Sequence, residues 1–241
     1  MMFGMLIQAI YMLTDTAFIG KWVGSDALAA LGYVFPYMFI IMGITFGLGS
    51  GATSVIARYI GKQEKTQADK AACQTILIGI IISIIIILVT LILGKNIFTV
   101  QNASGQAAID ALAYFRILSA GSIFMILSMF IRAILSGEGD NTFPMKVLGS
   151  GTILNIILDP IFIYYYDIEG AAIATVFSQF IVCLIFFYYL GVRKTSYLDL
   201  SLTNFYFYPA IIREILIIGI PSSLSMIEPI TPKSESASHL S

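Results

Sequence analysis

The sequence predicts an all-α, polytopic membrane protein: a lobe of six transmembrane helices followed by part of a seventh. Three observations carry this. Of 241 residues, 58% are hydrophobic and only 11% are charged, with a mean hydropathy of +0.91. Soluble domains carry about 25% charged residues, so this chain cannot cover itself with polar surface and lipid is its expected solvent. The apolar residues fall in runs near the roughly 20 residues that a bilayer-spanning helix needs. The loops between those runs also differ by side in Lys and Arg content. The net charge of −1 gives no general attraction to nucleic acid, which is not expected as a partner.

The runs follow in order. Residues 1–20 form the first span, interrupted only by Asp15. No basic leader or small-residue cleavage site marks it as a signal peptide, so it reads as a retained helix. Residues 31–57 carry no charge and form the second. The third is "TILIGIIISIIIILVTLILG", residues 75–94. The fourth, about 114–135, has an uncharged core between Arg116 and Arg132, which are placed to snorkel to the two interfaces. The fifth, about 145–166, contains Asp159, and the sixth is 170–192. A seventh begins in "EILIIGIPSSLSMI", where 13 residues, 215–227, separate Glu214 from Glu228. That is too short to cross. The domain reading is a six-helix lobe over 1–193, an inter-lobe linker and the start of helix seven over 194–227, and a polar, disordered tail over 228–241.

Orientation follows from the bias of Lys and Arg toward the cytoplasmic side. Nine basic residues flank the exits of spans two, four and six: Arg58, Lys62, Lys65, Lys70, Arg132, Lys146, Arg193, Lys194 and Arg213. Only two, Lys21 and Lys95, lie at the opposite loops. Spans one and five therefore run from inside to outside. "SGEGDNTFP", 136–144, reads as a cytoplasmic turn whose acidic groups are solvated. Gly43 and Gly47 make a GxxxG pair suited to helix packing; no strand precedes them, so a phosphate loop is not indicated. Cys73 and Cys183 lie in or beside apolar runs and His239 lies in the tail, which gives neither a disulfide framework nor a zinc site.

The informative residues are the polar ones inside the spans. A charge in a bilayer is costly and usually faces the bundle interior or a water-filled cavity. Asp15 and Asp159 lie near the outer ends of two spans that run the same way, each about 7–11 Å below the surface at 1.5 Å per residue. Asn155 and Asp159 are spaced i, i+4 and share a helix face. Pro160 lacks an N–H, which leaves the Ile156 carbonyl without its usual donor. Thr175, on span six, lies at a similar depth. Gln8, Tyr11 and Asp15 repeat at helical spacing along span one and are candidate substrate or proton-relay residues. Two readings stand for these groups: a hydrogen-bonded seam between helices, or a site for a small cation or a proton built from hard oxygen ligands. No other metal site and no cofactor is expected. An internal echo at an offset of 144 residues pairs Asp15 with Asp159, Phe18 with Phe162, Ile19 with Ile163, Ala27 with Ala171 and Ala30 with Ala174.

"LTDTAFIGKWVGSDALAALGYVFP" followed by "GLGSGATSVIARYIGK" closely resembles the start of multidrug and toxic compound extrusion (MATE) transporters. "SGEGDNTFPMKVLGSGTILNIILDPIFIY" and "EGAAIATVFSQ" resemble the family's fourth-to-sixth helix region, and the resemblance covers roughly residues 1–227. It implies a half of a twelve-helix, two-lobe transporter in the bacterial plasma (inner) membrane, surrounded by lipid. Such a transporter exports small cationic or amphipathic compounds in exchange for Na⁺ or H⁺. The resemblance further implies that Asp15, Asn155, Asp159 and Thr175 form the cation site of the N-terminal lobe. One lobe has no partner to rock against, so the chain is expected to be incomplete alone and to need a C-terminal lobe or a second copy. The basic, proline-containing lead-in common in the family is absent. The alternatives are a flippase for lipid-linked oligosaccharides, whose cavity would be rich in cationic groups, and a non-transporting dimeric scaffold. An enzyme is not expected, because no Ser/His dyad or His cluster lies in the spans.

Overall fold

A computed structural model describes residues 16, 18–191, 197–198 and 206–227. Gln8, Tyr11, Asp15, the early linker and the tail over 228–241 lie outside the described residues. After a short helical stretch at residues 18–22, five long helices follow: α1 (Ser25–Gly61), α2 (Lys65–Val100), α3 (Gly105–Glu138), α4 (Thr142–Gly191) and α5 (Pro209–Ile227). Each is long and apolar enough to cross a membrane.

Helix α4 contains spans five and six. Its backbone leaves helical geometry only at Tyr166 (φ −135°, ψ 16°) and Asp167 (φ 49°, ψ −134°), where the chain doubles back. A two-residue reversal this tight needs small side chains between the arms, 142–165 and 168–191. A methyl group on Gly170 would overlap the Phe162 carbonyl, and one on Gly151 would overlap Val182. These two contacts fix an antiparallel register along the hairpin.

The core divides by level. Toward the cytoplasmic end, as assigned by the basic residues, Ile56, Phe130, Ile134, Val182, Phe186 and Ile215 pack together. Toward the outer end, Ile19, Leu31, Val34, Phe98, Phe115 and Ile163 do the same. The middle of α2 instead exposes Ile81, Ile84, Ile85, Leu88, Leu91 and Ile92, as a lipid-facing surface must.

Two expectations change. Helix seven starts at Pro209 rather than after Glu214, and the described helix has 19 residues, about 28 Å long. Proline suits a first helical position, where its missing N–H has no helical partner to lose. Glu214 is no boundary because it pairs with the Arg58 guanidinium and accepts a hydrogen bond from the Tyr59 hydroxyl at 2.9 Å. Both ionic partners are more than a third exposed. Glu214→Gln should therefore cost less than about 1 kcal/mol, read as a small change in thermal unfolding in detergent.

The acidic residues of the 136–144 turn are not merely solvated. Asp140 Oδ1 accepts from the Thr142 and Phe143 amides at 3.0 and 3.1 Å and caps α4. Glu138 Oε1 accepts from the Leu198 amide at 3.1 Å and holds the linker. Arg116 is exposed, and Arg132 lies over the Phe46 ring at 5.9 Å.

Candidate cation site

The first arm of α4 carries Asn155 and Asp159 one turn apart, and the second carries Thr175. Asp159 precedes the last helical residue of its arm, Tyr165, by six positions, and Thr175 follows residue 168 by seven. At 1.5 Å per residue both sit about 9–11 Å below the reversal, so the hairpin brings them level. Asp159 is fully buried, Asn155 is 3% exposed and Thr175 is half-buried.

The amide joins the three. Asn155 Nδ2 donates to Asp159 Oδ1 at 3.0 Å and, in a longer contact, to Thr175 Oγ1 at 3.4 Å. Turning its nitrogen toward the carboxylate leaves the other end of the amide exposed to the interior. Asn155 Oδ1 is buried and accepts no hydrogen bond among the described residues. The cluster thus combines a carboxylate, a side-chain carbonyl and a hydroxyl in a low-dielectric bundle. Oxygen donors of this kind suit a hard cation, and the carboxylate alone suits a proton.

Of the predicted site residues, the structure brings Asn155, Asp159 and Thr175 together. Asp15, Gln8 and Tyr11 lie outside the described residues. The nearest described marker is Ile19, which shares the outer core cluster with Ile163. Ile19 lies four residues after Asp15, as Ile163 does after Asp159.

Two buried polar residues escaped the sequence reading. Ser178, three residues beyond Thr175, is 2% exposed; its i+3 spacing was the available signal. Gln74 is fully buried at the edge of the third apolar run and bonds the backbone just ahead of α5. The GxxxG pair that meets a partner helix is Gly47 and Gly51, against α5, rather than Gly43 and Gly47; Gly43 is buried.

The chain is 28% identical over 237 residues to the probable multidrug resistance protein YoeA of Bacillus subtilis, covering 92% of this chain and 50% of that protein. It is 29% identical over 231 residues to the multidrug export protein MepA of Staphylococcus saprophyticus, covering 94% and 51%. The chain therefore spans about half the length of the curated relatives it matches.

Among solved structures, an outward-facing multidrug resistance MATE family transporter of the MOP superfamily matches with a TM-score of 0.89 and 37% identity, over 94% of this chain and 51% of that one. An inward-facing transporter of the same description matches with a TM-score of 0.86 and 36% identity, over 91% and 50%. A MatE family model matches residues 1–161, two thirds of the sequence. With the membrane-spanning helices and the half-length match, this makes the chain an integral membrane protein, the N-terminal lobe of a transporter of the MatE family.

Proposed function

We propose that the chain is the N-terminal half of a cation-coupled multidrug efflux antiporter, working with a second lobe in a bacterial plasma membrane. The observation that carries this reading is the buried Asn155–Asp159–Thr175 cluster. A carboxylate in the bundle interior has a large desolvation cost, and a coupling ion is a group that can offset it. Asp15 is proposed to complete the site from the first helix, with Gln8 and Tyr11 as candidate relay or substrate contacts. Support comes from the depth of that helix and from the shared packing of Ile19 and Ile163.

Binding of Na⁺ or H⁺ at the cluster would favour one arrangement of the lobe, and an exported cationic or amphipathic compound would favour the other. A ligand shifts such an equilibrium only by its differential affinity for the two states. Alternating access then follows from rocking one half against the other around a central site. The lobe's similar likeness to outward- and inward-facing relatives supports a body that moves largely as a unit.

The test uses proteoliposomes holding this lobe with a co-expressed second lobe from a relative. Ion-gradient-driven efflux of a cationic dye is expected from the pair and not from the lobe alone. Asp159→Asn in the pair is expected to reduce ion-driven efflux by roughly tenfold or more, the scale of losing a group that acts at the ion itself. Undiminished efflux in that variant would show Asp159 to be structural.

A further inference from the structure

Two oxygens in the hairpin are buried without a hydrogen bond: Asn155 Oδ1 and Ser178 Oγ. Asn155 is 3% exposed and Ser178 is 2% exposed. Native interiors rarely leave such groups unpaired, and the exceptions commonly mark an ion, a water or a functional site.

The register of α4 puts the two at one level. Gly151 meets Val182 across the hairpin. One turn along the first arm from Gly151 is Asn155; one turn back along the second arm from Val182 is Ser178. The arms are antiparallel, so the two steps advance together. Thr175 and Ser178 stand at i, i+3 on the second arm, and Thr175 already reaches Asn155 from that face. Ser178 therefore lies beside the Asn155 amide, on the side of the cluster nearer the cytoplasm.

We propose that Ser178 is a further ligand of the cation site, acting with Asn155 Oδ1, and that this added pair of oxygens makes the site one for Na⁺ rather than for a proton alone. The inference rests on the cation-site reading given above and extends it to the identity of the ion. A proton bound at Asp159 occupies one carboxylate oxygen and leaves the amide carbonyl and the serine hydroxyl as they are. An alkali cation placed between the arms takes both, since a hydroxyl and an amide carbonyl each present a lone pair. The two oxygens are a cost to the fold that only a ligand with several coordination positions removes. Ser178 also differs from the other polar side chains of the spans: Thr45, Thr75, Ser83 and Ser128 each donate back to the carbonyl four residues earlier. No such bond takes up the Ser178 hydroxyl.

The test is direct Na⁺ binding to the purified chain in nanodiscs, by calorimetry and by Na⁺-dependent thermal shift at constant pH and ionic strength, with choline as the replacement cation. The parent is expected to bind Na⁺. Ser178→Ala is expected to weaken binding roughly tenfold, with its melting temperature in choline unchanged. Ser178→Thr, which keeps the hydroxyl, is expected to restore most of the affinity. Asp159→Asn is the reference. If it abolishes Na⁺ binding while Ser178→Ala binds as tightly as the parent, the Ser178 assignment falls and the cation site stands. If Asp159→Asn binds as the parent does, the underlying reading falls as well. If the parent shows no Na⁺ binding, the assignment of Na⁺ is overturned.

Discussion

Gly51→Val is expected to separate α5 from α1 and to destabilise the folded lobe more than any other single change to the helix faces. A side-chain carbon at Gly51 would overlap the Ile215 carbonyl and approach the Gly219 amide nitrogen to 2.8 Å and its Cα to 3.0 Å. One turn away, a carbon on Gly47 would overlap the Ser223 backbone. From the other side, a carbon on Gly219 would lie 2.8 Å from Leu48 Cδ2 and 2.9 Å from its Cα. The obstacles are largely backbone and cannot rotate away, so the helices must move apart. Without a hydrophobic drive between helices in lipid, close packing and interhelical bonds do most of the work of association. Separation loses both, including the 3.3 Å bond from the Ser223 hydroxyl to the Ile44 carbonyl.

Overpacking a tight contact costs typically 1–3 kcal/mol, and at a backbone–backbone contact the upper end of that range, about 3 kcal/mol, is the expectation. The readouts are a lowered melting temperature in detergent and faster trypsin cleavage at the exposed Arg213. Gly32→Ala serves as the control, because a carbon there meets nothing within 4 Å. Unchanged stability in Gly51→Val would mean that α5 is held by its ends rather than by this seam.

Most of the helical layout was legible because a spanning helix must be one long apolar run, and five of the six predicted lobe spans reappear as helix. The junction of spans five and six was harder. Asp167 and Glu169 looked like loop residues, yet only Tyr166 and Asp167 leave the helix. Composition reports polarity, and here the reversal is set by the absence of side chains at Gly170 and Gly151. Glu214 misled for a related reason: a charge counts as a break until its partner is known, and Arg58 lies 156 residues earlier.

The Asn155–Asp159 pair was legible because i, i+4 spacing is a local property of a helix. Thr175 was legible by counting from the reversal. Ser178 was not. Serines in apolar helices commonly bond their own i−4 carbonyl, and nothing local separates one that does from one that does not. The choice between Gly43/Gly47 and Gly47/Gly51 likewise depends on α5, which lies more than 150 residues further along the chain.

Gln74→Leu is expected to release the segment that leads into α5. Gln74 is fully buried, its Nε2 donates to the Tyr206 carbonyl at 2.9 Å, and its Oε1 accepts from the Tyr208 amide at 3.3 Å. One side chain therefore ties two backbone groups, at a point where no helix or strand would pair them. Lys70 adds a contact over the Tyr208 ring at 4.5 Å. Leucine keeps the approximate volume and removes both bonds. Tyr206 is exposed and Tyr208 half-buried, so water recovers part of what is lost; the net cost should be about 1–3 kcal/mol. The measurement is hydrogen exchange of amides 206–212, expected to quicken in Gln74→Leu. Lys70→Ala should change it less, because an exposed cation–π contact contributes only about 0.5–1 kcal/mol. A Gln74→Leu protein with unaltered exchange would show that the Arg58–Glu214 pair and the glycine seam hold α5 without the clamp. Quickened exchange with an intact α1–α5 contact would instead make Gln74 the anchor of the connector between the two lobes. It would then set where the second half of the transporter attaches.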